Sequence, residues 1–300
     1  MGARVVGRKI SLPQIADSRR RAIGRLAEGI AKAFWSKPGE FQTNAVSNPV
    51  AACETGRMKV IAVIPARLAS TRLPRKMLRQ IAGVPLLALT YQAVRRCPQL
   101  EEVVVATDSD EIFQFCRQSA FSVRMTSPAH RSGTERTHEI STIIPADVYI
   151  DVQGDEPLTR PEHIAQLIEL MRPPEVEVGT LKTPAVEIDI NTPGAVKVVT
   201  DAGGRALYFS RAAIPFDRDG SHPRYYKHLG IYGHRKQALD KFVLWPESSL
   251  ERSERLEQLR FLENGVPIYI AETPFDTVGV DTEEDVRRVE EILRQRLGEH

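Results

Sequence analysis

Cysteine is scarce in this chain, and the few that occur form no recognisable metal or disulfide pattern. Cys53, Cys97 and Cys116 lie far apart, and no CxxC or Cys/His zinc spacing is present. An odd number of separated cysteines is typical of reduced thiols in a cytoplasmic protein. A chain of 300 residues can bury a core of ordinary size, so it needs no disulfide or structural metal to fold.

Long apolar runs and an excess of one charge are also missing. No stretch reaches the roughly 18 residues that a membrane span requires, and no signal-peptide pattern is visible. The net charge is only +2, which argues against a uniformly basic surface for nucleic acid. We therefore expect no membrane span and no nucleic-acid partner.

The charge is distributed unevenly along the chain. Residues 1–57 contain ten Lys and Arg against four Asp and Glu, and apolar residues recur at helical spacing between positions 23 and 34. Three interpretations stay open: a poorly ordered tail, a membrane-surface or targeting helix, or upstream sequence translated from a start before Met58. We favour a basic tail without a catalytic role, of the first or third kind, and assign the catalytic domain to residues 58–300.

Beyond Met58 the hydrophobic pattern alternates between strands and helices. Strands are predicted at 59–64, 103–106 and 148–152, and helices at 86–94, 110–118, 161–171, 237–243, 251–263 and 283–296. Residues 177–233 contain several short β-like runs that extend the sheet or form a small flap. Alternation of this kind predicts an α/β fold with a mostly parallel, Rossmann-like sheet flanked by helices.

The loop after the first predicted strand is strongly basic. Residues 65–76 include Arg67, Arg72, Arg75 and Lys76, but they match neither a Walker loop nor a GxGxxG turn. This argues against P-loop ATPases and dinucleotide dehydrogenases. Ligands of open α/β sheets bind at the carboxyl ends of strands, and a triphosphate needs several cations around it. A phosphate site and a solvated surface loop are equally compatible with this composition.

Specific motifs then favour the phosphate interpretation. The sequence AVIPARLASTRLPRK at 62–76 resembles the opening signature of CMP-Kdo synthetases, the 3-deoxy-manno-octulosonate cytidylyltransferases. Further segments resemble the same family in the same order: ATD at 106–108, HRSGTER at 130–136, VQGDEP at 152–157, ALYFSRA at 206–212, HLGIYG at 228–233, LEQLR at 256–260 and GVDT at 279–282. The resemblance covers about residues 58–296. One departure is Arg75, where the family usually has glycine.

The resemblance implies a nucleotidyltransferase fold with a small β-rich extension on the sugar side that takes part in dimerisation. It also implies site residues. Lys76, Arg72, Asp155 and Asp281 are expected to be catalytic, with Asp155 and Asp281 binding Mg²⁺. The residues expected to bind CTP are Ala66, Arg67, Ser70, Arg72, Lys76, Ser132, Gly133, Thr134, Arg136 and Gln153. Those expected to bind the sugar are Arg211, His228, Tyr232, Glu257 and Gln258.

Several of these residues also have ordinary structural interpretations. Asp281 and Ser132 each precede a predicted helix and could serve as caps, and His228 could act as a general base instead of binding sugar hydroxyls. The DSD sequence at 108–110 resembles the DxD metal motif of glycosyltransferases. We interpret it as a helix cap.

The function implied by the resemblance is transfer of CMP from CTP to Kdo, giving CMP-Kdo and pyrophosphate for lipopolysaccharide biosynthesis. The partners are then CTP, an acidic sugar and Mg²⁺, with a homodimer expected from the family. Two alternatives remain open. One is a cytidylyltransferase for another acidic sugar, of the amino-Kdo or sialic acid type. The other is a catalytically silent homologue that binds CTP or sugar.

Overall fold

The computed structural model describes residues 58–298 except 69 and 71, so the predicted helix in the basic tail lies outside the described residues. The strands are β1 (Val60–Ala66), β2 (Gln80–Ile81), β3 (Val84–Pro85), β4 (Glu102–Thr107), β5 (Ser122–Met125), β6 (Val148–Val152), β7 (Val178–Pro184), β8 (Lys197–Thr200), β9 (Ala206–Ser210), β10 (Tyr226–His234) and β11 (Ile268–Glu272). The helices are α1 (Leu86–Arg95), α2 (Asp110–Gln118), α3 (Gly133–Ile143), α4 (Pro161–Leu170), α5 (Glu187–Asn191), α6 (Lys236–Leu244), α7 (Ser249–Glu254), α8 (Leu259–Glu263) and α9 (Glu283–Gly298). A short 3-10 helix covers Lys76–Leu78.

The main sheet places β1 at its centre. The order is β11-β7-β10-β6-β1-β4-β5, with β8 paired to β10 and β9. Strands β5, β4, β1 and β6 are mutually parallel, whereas β10 runs antiparallel to β6 and β7. The chain leaves β1 toward β4 on one side and later returns to β6 on the other. The carboxyl ends of β1 and β6 therefore lie at a topological switch point, where open α/β sheets bind ligands.

The hydrophobic core forms on both faces of this sheet. All seven residues of β1 are buried, as expected for a central strand covered by helices on both sides. A second cluster gathers around Phe209, Phe242 and Phe261 at the β8–β9 end of the sheet. The α/β fold with a mostly parallel central sheet and a β-rich extension is thus confirmed.

Most predicted elements are found where expected, with one clear error. Helix α2 and strand β6 match the predicted residues, whereas the single helix predicted at 251–263 is wrong. Arg255 has a left-handed backbone with φ of 55°, which ends α7, and a second helix begins only at Leu259. The break leaves Glu257 and Gln258 on a turn instead of a helix face.

No helix among the described residues is long and apolar enough to cross a membrane. Cys97 and Cys116 are buried free thiols. Burial raises the pKa of the Cys116 thiol to about 12, so this side chain stays protonated and acts as a small apolar core residue.

Candidate active site

A polar cavity opens at the carboxyl ends of β1 and β6, and we call it the nucleotide cavity. Its volume is about 360 Å³. The lining residues are Pro65, Ala66, Arg67, Ser70, Arg72, Lys76, Met77, Ser132, Gly133, Arg136, Gln153, Asp155 and Asp281. The structure thus brings together every residue predicted to bind CTP except Thr134, which is buried behind the cavity.

Lys76 lies at the centre of an ion cluster in this cavity. Its ammonium donates to Asp155 and, at 2.8 Å, to Asp281 Oδ1. Arg72 binds the other oxygen of Asp281 at 2.9 Å. Burial would lower the pKa of Lys76, but the two carboxylates outweigh it and the pKa is raised. Burial likewise acts against the charge of Asp281, yet Lys76 and Arg72 hold its pKa below the usual value. Lys76 and Asp281 are therefore both charged near neutral pH.

Close backbone packing brings the segments after β1 and β6 together. A Cβ on Gly154 would lie 2.9 Å from Met77 Sδ and 3.1 Å from the Pro65 carbonyl oxygen. Only glycine allows this approach. It places Asp155 within reach of Lys76 across 79 residues of sequence.

Asp281 is not the side chain that caps α9, because the two residues Thr282 and Asp285 do so. Thr282 and Asp285 form the reciprocal pair at the start of α9, with Asp285 N donating to Thr282 Oγ1 at 3.2 Å and Thr282 N donating to Asp285 Oδ2 at 2.9 Å. The Asp281 carboxylate takes no part in this cap and points to Lys76 and Arg72. The helix start is therefore capped without using the candidate metal ligand.

The start of α3 forms the opposite side of the nucleotide cavity. Ser132 caps this helix by accepting from Glu135 N at 3.2 Å, so the capping role and a place in the cavity coexist. A Cβ on Gly133 would lie 2.7 Å from Gln153 Nε2, which means glycine leaves room for that amide. Arg136 is fixed by Asp108 at 2.6 Å. The cap interpretation of residues 108–110 holds, because Ser109 accepts from Ile112 N.

A second cavity of about 490 Å³ adjoins the first, and we call it the sugar cavity. Arg72, Asp155 and Asp281 line both. The other lining residues are Glu156, Asp189, Thr192, Gly194, Ala195, Val196, Lys227, His228, Gly230, Tyr232, Leu256, Gln258, Thr277, Val278, Gly279, Thr282, Asp285 and Arg288. Three of the five predicted sugar ligands, His228, Tyr232 and Gln258, are therefore found here.

Two of these three are buried polar side chains with unusual surroundings. His228 Nε2 lies 3.0 Å from Thr180 Oγ1, and burial lowers the pKa of the ring to about 3. The imidazole is neutral near pH 7. Gln258 is 4% exposed, and its Nε2 has no hydrogen-bond partner among the described residues. This amide is available to donate to a ligand hydroxyl.

The other two predicted sugar ligands do not line the cavity. Arg211 donates to the carbonyls of Glu254 at 2.7 Å, Pro193 at 2.8 Å and Arg255 at 3.3 Å. Glu257 is half-buried and hydrogen-bonds with the side chains of Ser132 and Thr134, and removal of its carboxyl group from water raises its pKa. A direct contact of either residue with sugar stays a prediction.

Sequence reasoning missed several charged residues of the sugar cavity. Lys227 lies 2.9 Å from Asp276 and 3.7 Å from Asp189, and burial raises the pKa of the nearby Glu156 to about 8. Lys227 directly precedes the HLGIYG segment, and Glu156 follows Asp155. The adjacent motifs could have indicated that Lys227 and Glu156 belong to the site. Asp189 and Arg288 lie in segments that match no motif, so nothing in the sequence pointed to them.

Metal binding in these cavities would rest on a pair of carboxylates. The described part of the chain contains no group of three or more His, Cys, Asp or Glu side chains able to hold a metal. Mg²⁺ commonly uses only one or two protein carboxylates together with substrate phosphates. Asp155 and Asp281 converge on one ammonium group, so this pair fits such an ion.

The geometry defines a nucleotidyltransferase site, and comparison with known proteins specifies it. The family model for cytidylyltransferases matches residues 61–270. The 3-deoxy-manno-octulosonate cytidylyltransferase of Koribacter versatilis is 61% identical over 249 residues, covering 83% of this chain and 95% of that protein. The protein of the same name from Acidobacterium capsulatum is 52% identical, covering 80% of this chain and 98% of that protein.

Solved structures agree with this assignment. A CMP:2-keto-3-deoxy-manno-octonic acid synthetase complexed with CTP superimposes with a TM-score of 0.76 at 38% identity, covering 80% of this chain and all of that one. A cytidylyltransferase from Leptospira borgpetersenii, at 17% identity and a TM-score of 0.52, shares the fold, covering 78% of this chain and 85% of that one. The chain belongs to the cytidylyltransferase family, among the 3-deoxy-manno-octulosonate cytidylyltransferases.

Proposed function

We propose that this protein transfers CMP from CTP to the anomeric hydroxyl of Kdo, releasing pyrophosphate, in lipopolysaccharide biosynthesis. The observation that carries the proposal is the junction of the two cavities. Asp155 and Asp281 line both cavities, and Lys76 bridges these two carboxylates. A nucleotide triphosphate in one cavity and an acidic sugar in the other would meet at this cluster.

The protein groups act by positioning and by neutralising charge. Arg67, Arg72 and Lys76 would surround the triphosphate, and Lys76 would stabilise the charge that develops on the α-phosphoryl group and on the leaving pyrophosphate. The anomeric oxygen attacks the α-phosphorus in line, the hydroxyl proton passes to solvent, and the bond to pyrophosphate breaks. No covalent enzyme intermediate is required.

Asp155 and Asp281 are the residues that would hold Mg²⁺. A magnesium ion held by these two carboxylates would supply positive charge against the phosphates and would polarise the sugar hydroxyl. The neutral His228 ring lies in the sugar cavity as a hydrogen-bonding group. Because its pKa is about 3, it is too weak a base at neutral pH to remove the sugar proton. We therefore assign it to hydroxyl binding.

The direct test is pyrophosphate release with CTP, Kdo and Mg²⁺, alongside UTP and a panel of acidic sugars that includes amino-Kdo and sialic acid. Release with CTP and Kdo well above every other pair is the expected result. Preference for another acidic sugar would overturn the substrate assignment but keep the reaction. Tight CTP binding without turnover on any sugar would identify a silent homologue.

We also propose that the enzyme is a cytoplasmic homodimer. The β-rich extension exposes large apolar side chains, with Leu207 on β9 61% exposed and Phe216 in the following loop 84% exposed. Side chains of this kind mark protein contact surfaces when they form a patch. Multi-angle light scattering should give twice the chain mass of 33.6 kDa, and Leu207→Glu should shift the mass toward one chain. A monomeric mass for the unaltered protein at assay concentrations contradicts the dimer.

A further inference from the structure

A fully buried lysine lies behind the wall of the sugar cavity. Lys197 begins β8 and has 0% exposure. Its Nζ donates to the carbonyl oxygens of Thr192 at 3.0 Å, Ala195 at 2.6 Å and Arg211 at 2.7 Å. An ammonium group has three donors, so all of them are used, and each goes to a backbone carbonyl.

Two of these carbonyls belong to one irregular segment, residues 192–196, which we call the wall segment. Four of its five residues, all but Pro193, line the sugar cavity. The segment lies between α5 and β8, and within it Ala195 N donates to the Thr192 carbonyl at 3.1 Å. Its far end is bound to β10, where His228 N donates to the Val196 carbonyl at 2.8 Å.

Arg211 holds the same segment from a second direction. Its guanidinium donates to the Pro193 carbonyl at 2.8 Å, while its own carbonyl accepts from Lys197. Three carbonyls of the wall segment, at 192, 193 and 195, are therefore bound by two cations that are themselves linked by a hydrogen bond. This pair of cations links the wall segment to the end of β9.

The chemistry of the site argues against a simple space-filling role. Burial lowers the pKa of Lys197, with Asp189 opposing that effect. Enclosing an ammonium without a directly bound carboxylate is costly compared with an apolar side chain of the same length. The lysine ammonium donates three hydrogen bonds from a single atom, which an apolar side chain cannot do. That geometry fixes the separation between the wall segment and β9.

We propose that Lys197 is a positioning residue for the acidic sugar: it holds residues 192–196 in the shape that receives the sugar, without touching either substrate. The proposal rests on the proposed function of the adjoining cavity. Displacements of about 1 Å in a positioning element reduce rates about 100-fold in enzymes. We call the three hydrogen bonds of Lys197 the Lys197 clamp. Its loss should strongly raise the KM for the sugar. It should change the KM for CTP only slightly, because the nucleotide cavity does not include the wall segment.

The kinetic test uses Lys197→Met in the full chain, with Lys236→Met on exposed α6 as the matched control. For Lys197→Met we expect the KM for Kdo to rise at least ~10-fold, with the KM for CTP changing less than ~3-fold. Lys197→Gln keeps part of the donor function and should fall between lysine and methionine. Equal increases in both KM values, or no change in the KM for Kdo, would overturn the proposal.

A measurement independent of turnover separates this proposal from the assignment of the reaction. Hydrogen–deuterium exchange of the full-length Lys197→Met protein should be faster at residues 192–196 and unchanged at residues 148–155. If the unaltered enzyme fails to use Kdo while exchange at the wall segment still increases, the proposed function is wrong and the clamp stands. Unchanged exchange at residues 192–196 would contradict the proposal that Lys197 holds the wall segment in place.

Discussion

At the scale of single residues, Lys76 is the most informative position. Its ammonium contacts both candidate metal ligands and faces the space for the triphosphate. Lys76→Met keeps the length of the side chain and removes the charge. We expect kcat to fall by about 100- to 1000-fold, the range seen when one preorganised charge-stabilising group is removed.

The kinetic readout for Lys76→Met is single-turnover pyrophosphate release. Lys59→Met provides a matched control, because Lys59 precedes β1 at the opposite end of that strand from the nucleotide cavity. Activity of Lys76→Met within threefold of the unaltered enzyme would show that the cationic loop plays no part in the chemical step.

Asp281 carries a separate prediction about the metal. Asp281→Asn keeps the shape of the side chain but removes a charge from the pair that would hold Mg²⁺. The Mg²⁺ concentration giving half-maximal activity should rise at least ~10-fold, because carboxylates are the main protein ligands of this ion.

Asp110→Asn is the control for the metal titration. Asp110 is exposed at the start of α2 and belongs to the DSD sequence, so its Mg²⁺ dependence should be unchanged. If Asp110→Asn raised the Mg²⁺ requirement and Asp281→Asn did not, the DSD sequence and not Asp281 would be the metal ligand.

At the residue scale, the sequence motifs identified residues that the fold brings into one cavity, and their catalytic and binding roles stay predictions. Eleven of the twelve residues predicted as catalytic or CTP-binding line the nucleotide cavity, although they come from distant points of the chain. The motifs failed to anticipate the conformation of Arg75, which has a left-handed backbone with φ of 56° and binds Glu111. Glycine adopts such a backbone without cost, which accounts for the family preference. Sequence alone could not show that the added guanidinium binds Glu111 and does not line the nucleotide cavity.

At the scale of elements, the broken helix at 249–263 shows what periodicity misses. The apolar spacing continues through the segment, but α7 ends at Arg255 and α8 begins at Leu259. A contact across the turn accompanies the interruption, since Glu251 and Arg260 form a buried ion pair. The spacing of apolar residues within one segment does not reveal such a contact. Helix α2 was predicted correctly because its Ser109 cap and its apolar face can both be identified from neighbouring residues in the sequence.

The ion pair of Glu251 with Arg260, at the turn between α7 and α8, should contribute measurably to the stability of the fold. The two side chains are 8% and 5% exposed and join through two hydrogen bonds, of 2.7 and 2.6 Å. Arg260→Met alone should lower the free energy of unfolding by about 3–5 kcal/mol, because it leaves Glu251 charged and buried. Urea denaturation measures the loss.

The double variant Glu251→Leu/Arg260→Met distinguishes pairing from packing. It should recover at least half of the stability lost in Arg260→Met, since no buried charge is left without a partner. A double variant that loses the sum of the two single losses would mean that the pair is not energetically coupled. Because the pair supports the turn carrying Gln258, Arg260→Met should also raise the KM for the sugar.

At the scale of the whole molecule, the fold brings together segments that are separated by over 200 residues. The central parallel strands were predictable because buried β-branched runs and intervening helices imply one topology. The sugar cavity was less predictable, since its wall segment and Asp189 have no regular pattern. Its wall is held by two cations that bind backbone carbonyls, the buried Lys197 and the half-buried Arg211. Such bonds depend on the three-dimensional path of the chain and leave no periodic signal.

The pH dependence of global stability depends on a carboxyl group at the centre of the sheet. Asp151 is 1% exposed on β6, and burial raises its pKa to about 8. Its two oxygens accept from Thr137 Oγ1 at 3.0 Å and Gln153 Nε2 at 3.1 Å. The folded protein keeps the proton on Asp151 where the unfolded chain, with an ordinary pKa near 4, releases it. The contribution of this group to stability is therefore present below about pH 4 and is lost as the pH rises toward 8.

Asp151→Asn should remove that loss, because the amide occupies the same space and carries no proton to release. The stability of the variant relative to the unaltered protein should grow between pH 4 and pH 8, by at most about 1.4 kcal/mol per pH unit, and level off above pH 8. Thermal melting across this range measures the difference, with the exposed Asp219→Asn as a control that should show no trend. A difference that shrinks with rising pH would mean that Asp151 is ionised in the folded protein and stabilised by its two hydrogen bonds.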